Sequence, residues 1–271
     1  MVKGIIKNIV NANEFLKKRY NKKTNQYTKG TKLIKCDNIH LKNNRINISD
    51  QNSSVILGDG SFLQGCGILF RGGNNRILVE DGTEIYGSNG NHFHINGHNN
   101  TIVIGSGGII RETSFFISGD NNMIKVGAGC SIMLGQFHVE GNSNRIQLGE
   151  GVTIHGRDSG AVHMAVDEGS KIVIGNDCMF SNDIQIRSSD SHSILDMNGK
   201  RINPAEDIHI GQHVWIGMRA TILKGCKISD YCIVAAGSIC TREYNESNCI
   251  IGGNPAKVIK HEVDWDRKYI V

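Results

Sequence analysis

Proline is almost missing from this sequence and large rings are scarce: 271 residues carry 2 prolines and 6% aromatics, beside 33 glycines and 39% hydrophobic residues. A chain of this length can bury a sizeable core, but not one filled mainly by rings, and the profile suits a stacked solenoid. No stretch approaches the length of a membrane span. The short apolar run of Ile5, Ile6, Ile9 and Val10 is broken by Lys7 and Asn8 and followed by no cleavage site, so a cytoplasmic location is expected. The eight cysteines include no C-x-x-C pair, and several stand where a small apolar residue belongs. They read as reduced packing residues rather than a zinc site or a disulfide frame. The glycines form no Walker or Rossmann fingerprint.

Acidic residues are almost absent from the head of the chain, where ten Lys or Arg in residues 1–35 face Glu14 alone. The overall net charge is +4, so the remainder is net acidic. Ile5, Ile6, Ile9, Val10, Phe15, Leu16 and Tyr20 recur at helical spacing, which predicts an amphipathic helix over residues 3–20. Such a helix caps the open end of a solenoid. Its charge also suits a membrane surface or an acidic glycan, and the two roles are compatible. Nothing in the chain points to nucleic acid.

What is present is periodicity. Ile210, Ile216, Ile222, Ile228, Val234 and Cys240 fall six residues apart, with Val214, Ala220, Cys226, Cys232 and Ser238 in the fourth place after each. Neither a helix nor one long strand keeps that beat, whereas a short strand and a turn, repeated, do. Upstream, GGNNRILVEDGTEI, GHNNTIVIGSGGII, GDNNMIKVGAGCSI, GNSNRIQLGEGVTI and DEGSKIVIGNDCMF are variants of one motif. Their leading isoleucines, Ile77, Ile102, Ile124, Ile146 and Ile172, are spaced by 25, 22, 22 and 26 residues. One coil per motif is the natural reading, with Asn and Gly supplying positive φ and side-chain hydrogen bonds at a corner.

The segments IGNDCMFSNDIQIRSSDSHSI, DIHIGQHVWIGMRATILKG and IIGGNPAKVIK resemble the hexapeptide-repeat acyltransferases of the xenobiotic and sugar O-acetyltransferase type, closely over about residues 170–261. The resemblance implies an all-β fold, a left-handed parallel β-helix, assembled as a homotrimer that uses acetyl-CoA. The organisation expected is a basic helical cap at 1–34, a solenoid over 35–251 with an active-site loop at 187–207, and a C-terminal turn and tail at 252–271.

Acyl transfer to a hydroxyl needs a base for the proton and fixed donors for the developing oxyanion. By resemblance, His192 is that base, and Asp190 either orients it, binds the acceptor or bonds its own backbone. His163 is either a satisfied structural histidine or a contact for the acceptor, and His155 and Arg157 are weaker candidates for the acceptor side. On the donor side the resemblance points to Trp215, to the amides of Gly217 and Met218, and to Ala236 as a wall for close approach. Thr241 and Arg242 stand toward the nucleotide end, and Lys257 and Lys260 face the phosphates. Arg242 replaces the more usual lysine.

Three other readings compete. A zinc hydratase on the same fold would draw on His155, His163, His192, His209 and His213, but VWIG and NPAKVIK belong to the CoA-using branch, so no metal is expected. A glycan-binding solenoid without activity would be indifferent to loss of His192. Transfer to an amino sugar would give a product stable to mild base. The basic head and the additional coils, together with the resemblance to enzymes of surface glycans, imply O-acetylation of a bacterial surface-polysaccharide sugar, with carbohydrate as the acceptor.

Overall fold

The computed structural model describes residues 25–27, 33–48, 50, 52–88, 91–156, 160–268 and 270. The helix expected over 3–20 lies outside these residues. Among the described residues there are 31 strands, in sheets of 10, 10 and 11. Each strand pairs in parallel with the one three places along the chain, so three strands make one coil and the coils stack into a three-sided parallel β-solenoid. One coil cannot bury its own apolar face, but a stack can. The first sheet starts with Gln26–Tyr27, the second with Leu33–Lys35 and the third with His40–Lys42. Regular pairing therefore begins ahead of residue 35. It ends in an antiparallel hairpin, Ile250–Gly253 against Ala256–Lys260. No described helix is long and apolar enough to cross a membrane.

The register explains both sequence periods. Ile77, Ile102, Ile124, Ile146 and Ile172 are direct neighbours in the second sheet, one coil apart. Ile210, Ile216 and Ile222 instead fall on the second, third and first sheets in turn, so the six-residue beat is one face per unit. The few rings are concentrated: Phe93, Phe115 and Phe137 stack in the core with centroids 4.9 Å apart and planes within 6° and 4° of parallel. That distance is the strand spacing itself, about 4.8 Å, so parallel pairing in register builds the stack.

The paired asparagines of each motif divide the work of the corner. The first residue of the pair turns the chain, with φ of 58° at Asn74 and Asn99, 61° at Asn121 and 62° at Ser143. The second is buried and climbs from coil to coil: Oδ1 of Asn100 accepts from the Asn122 amide, and Oδ1 of Asn122 accepts from the Asn144 amide, each at 2.9 Å. The Asn122 Nδ2 group donates to the Gly141 carbonyl at 2.8 Å. Asn122→Leu leaves these groups buried without partners, each costing about 1–3 kcal/mol. Denaturant unfolding should show that loss as a lower midpoint. An unchanged midpoint would mean that the ladder contributes nothing.

The eight cysteines are free thiols, and all but Cys36 are buried. Burial pushes Cys66 and Cys178 up to about 12 and Cys130 to about 11, as suits packing residues rather than nucleophiles.

Candidate active site

The chain leaves the first sheet at Arg187 and enters the second at Ile208. The intervening loop holds only an isolated bridge, Leu195 to Arg201. Its order comes from Asn203, a buried amide at 5% exposure. Asn203 Nδ2 donates to the His192 carbonyl and to Asp190 Oδ2, both at 2.8 Å, while its Oδ1 accepts from the Ile194 amide at 2.7 Å. Outside this clamp, Lys224 Nζ pairs with Asp190 Oδ2 at 2.6 Å, and Arg201 pairs with Glu168 at 2.6 Å. The hydrogen bond from Lys224, then that from Asn203, holds the Asp190 carboxyl below the usual carboxylate range.

The imidazole of His192 is exposed, and its ring has no hydrogen-bond partner among the described residues. Its backbone is fixed by Asn203 while its ring nitrogens are available for a substrate proton. Asp190 bonds neither that ring nor its own backbone, and its role here is to anchor the loop to Asn203 and Lys224. Neither Asn203 nor Lys224 stands out in the sequence, because their importance depends on how the loop folds back.

His163 sits on the first sheet, with Nδ1 3.2 Å from Gln185 Oε1. Burial, reinforced by the charge of Arg187, holds it below the ordinary histidine range. With His138, Glu140, Arg187, Ser189 and Ser191 it lines a cavity of about 290 Å³ that opens beside the base of the loop. Of the acceptor-side candidates the structure therefore brings His163 next to the loop. Arg157 lies outside the described residues. His155 is on the third sheet, where Nε2 lies 3.4 Å from the Ser131 hydroxyl. Among the described residues no group of three His, Cys, Asp or Glu side chains converges to hold a metal ion.

Most donor-side candidates lie on or beside the third sheet and the hairpin, whereas Thr241 and Arg242 sit at the corner between the first and second sheets. Trp215 pairs with Met179 below and Ile233 above, and its buried Nε1 has no partner among the described residues. Gly217 must be glycine, since a Cβ there would lie 2.7 Å from both the Ala236 amide and the Val234 carbonyl. Its own N–H is committed to Val234 O at 2.8 Å, so of the expected amide pair only Met218 keeps a donor without a partner among the described residues. Ala236 and Thr241 are exposed in turns, and Arg242 donates to the Ala256 carbonyl at 3.1 Å. Lys257 and Lys260, three apart on a strand, would ordinarily face opposite ways. A register shift places them opposite Gly252 and Ile250, on one face of the hairpin.

The tail then runs back across this region, with no period in the sequence to announce it. Trp265 stacks on His213 at 4.3 Å and lies 6.1 Å from Trp215. Arg267 reaches Asp177, Thr153 and the Cys178 carbonyl. His213 faces acceptors through both ring nitrogens, Asp177 at Nδ1 and the Trp265 carbonyl at Nε2, which suits the doubly protonated ring. Burial lowers its pKa, but these bonds and the charges of Asp177 and Asp264 outweigh that and raise it. The contribution is complete below the ordinary histidine pKa of about 6.5 and is lost as pH rises through the folded-state value. Amide exchange in residues 261–268, corrected for intrinsic rates, should therefore quicken as pH rises above the ordinary histidine value of about 6.5, and His213→Gln should abolish that trend. A flat profile in the native chain refutes it.

Comparison with known proteins agrees with this architecture. The family described as bacterial transferase hexapeptide (six repeats) matches residues 207–242. A polysialic acid O-acetyltransferase of Escherichia coli O1:K1 / APEC is 38% identical over 109 residues, covering 40% of this chain and 35% of that protein. One from Neisseria meningitidis is 34% identical over 110 residues, covering 40% and 51%. The chain thus aligns with only about a third to a half of the length of these curated relatives. The solved structure of the polySia specific acetyltransferase NeuO matches over 87% of this chain and 89% of that one, with a TM-score of 0.57 and 26% identity.

Proposed function

We propose that this hexapeptide-repeat solenoid transfers acetyl from acetyl-CoA to a hydroxyl of a bacterial surface-polysaccharide sugar, directly, with His192 as general base. The observation that carries the reading is the His192 ring, without a hydrogen-bond partner among the described residues, on a backbone clamped by buried Asn203. An alcohol is a poor nucleophile until its proton is taken, and a fixed imidazole with an available nitrogen meets that need. His192 accepts the hydroxyl proton as the sugar oxygen bonds to the acyl carbon. The carbon–sulfur bond then breaks, and the imidazolium returns the proton to the leaving sulfur, giving an ester and a free thiol.

The donor side fits a pantetheine arm. Trp215 Nε1 is a buried donor without a partner among the described residues, and the Met218 amide suits charge developing on a carbonyl oxygen. Lys257 and Lys260 share one face for the phosphates. The acyl thioester supplies the electrophilic carbon, and the chain supplies position and proton transfer.

His192 and Trp215 belong to different sides of the prism, which argues for a site completed between copies. The loop tip supports a homotrimer, because Ile194, Leu195, Met197 and Ile202 are 53%, 56%, 101% and 57% exposed in a single chain. The polysaccharide acceptor is supported by the polysialic acid relatives. The direct test follows thiol release from acetyl-CoA with polysialic acid and other bacterial surface glycans. Ester formation, lost on mild base treatment, supports the reading; no acceptor-dependent thiol release from any of them overturns it.

A further inference from the structure

We propose that the outer face of the first sheet is a track for an acidic polysaccharide strand, with sugar rings stacked along His94, Phe116 and His138 and one sugar seated in the gap at Ala165. The strand's identity as acceptor rests on the acetyltransferase reading, but the track itself rests on geometry. Leu69, His94, Phe116, His138, Ala165 and Arg187 occupy one column of cross-strand neighbours, all outward because the residues flanking them point into the core. The rings are in contact, His94 to Phe116 at 5.4 Å and Phe116 to His138 at 4.7 Å. They form a continuous half-exposed ribbon of rings, with Phe116 and His138 stacked within 20° of parallel and His94 set edge-on to Phe116 at 86°. The apolar C–H faces of sugars pack against aromatic surface of this kind.

Alanine interrupts the column at 165, and the cavity of about 290 Å³ opens there, with the rings of His138 and His163 on one side and the Arg187 guanidinium on the other. The gap is the size of a small-ligand pocket and lies against the base of the His192 loop. Burial, then the charge of Arg71, holds His94 below the ordinary histidine range, so at neutral pH it presents an uncharged ring.

The face carries both signs, and its two guanidiniums are the groups that suit an acidic strand. Glu140 is paired with His138 at 2.9 Å and Asp167 also lines the gap, whereas the Arg71 guanidinium has no partner among the described residues and Arg187 meets the Ser191 hydroxyl. Arg71 and Arg187 stand five strands apart, about 24 Å at the usual spacing of about 4.8 Å, a span of several sugars. Small polar residues flank the rings, including Ser114, Gln136 and Ser118, and suit hydroxyl groups. The second sheet differs, with Ile34, Ile56, Leu78 and Val103 aligned on its outside, the kind of surface another protein chain covers.

The test measures binding of long polysialic acid and of its dimer to the intact protein without donor, then turnover with each. The native chain is expected to bind the long polymer at least about tenfold more tightly than the dimer. Phe116→Ala, about three strands or 14 Å from the loop's base, should weaken polymer binding about tenfold while sparing dimer turnover. Ala165→Phe, which fills the gap with a further ring, should abolish the preference for length. Equal binding of polymer and dimer, or variants that bind the polymer like the native chain, overturns the track and leaves the acetyltransferase reading standing. A change in oligomeric mass in either variant overturns it in favour of a contact between copies. Absence of turnover with every acceptor fells the enzyme reading alone, because the binding arm needs no donor.

Discussion

His192→Ala lowers acceptor-dependent thiol release by about 10²–10⁴-fold, the usual worth of a positioned base, and leaves the melting temperature where it was. Both halves of that expectation come from the loop. The ring has no hydrogen-bond partner among the described residues and is exposed, so truncation removes no internal hydrogen bond and opens no cavity. The bond that holds the segment is made by the backbone carbonyl, which alanine keeps. His192→Gln should be equally inactive, since an amide of similar reach cannot accept and return a proton near neutral pH. Steady-state rates beside a melting curve check both variants. Activity near the native level would move the base elsewhere while leaving the solenoid untouched.

Asn203→Leu is the second large effect, and it acts at one remove from the chemistry. The substitution keeps approximate bulk but strips partners from the His192 carbonyl and the Ile194 amide and takes one from Asp190. Each of these part-buried hydrogen bonds is worth about 0.5–1.5 kcal/mol, and losing all three together releases the segment from its single arrangement. A displacement of about 1 Å at a reacting group is worth about 10²-fold in rate, so kcat should fall by about that factor while KM for acetyl-CoA barely changes. Asn203→Asp should do no better, because it loses both donated bonds and sets a second carboxylate beside Asp190. Positioning is then distinguished from loss of fold by the split between kcat and KM. A parallel loss of donor affinity would reject the clamp.

Much of the architecture is legible in the sequence because it is carried by spacing. The isoleucines from 77 to 172 become direct neighbours, and the asparagine pairs turn and ladder the corners, as local backbone chemistry dictates. The histidine loop is legible as an interruption of that spacing. The outer ring column had a signal that was easy to pass over: residues 94, 116 and 138 are themselves 22 apart, like the core phenylalanines one place before each. The clamp was not legible, since Asn203 and Lys224 reach the loop through folded-back geometry. Nor was the strap, where Trp265 and Arg267 meet partners 52 to 116 residues away. The Gly217 amide shows a related limit, because resemblance offered it as a free donor and coil-to-coil pairing occupies it.

The buried asparagine staircase has a consequence for how such a molecule changes length. Each tread bonds to the treads above and below and to a nearby carbonyl, and Asn100 and Asn122 repeat the same set of bonds one coil apart. Removing or duplicating one 22-residue unit therefore amounts to a rigid lift of the upper storeys by about 4.8 Å, with no repacking elsewhere. Stature is thus an adjustable quantity in this protein, set by copy number and independent of the machinery housed at the top.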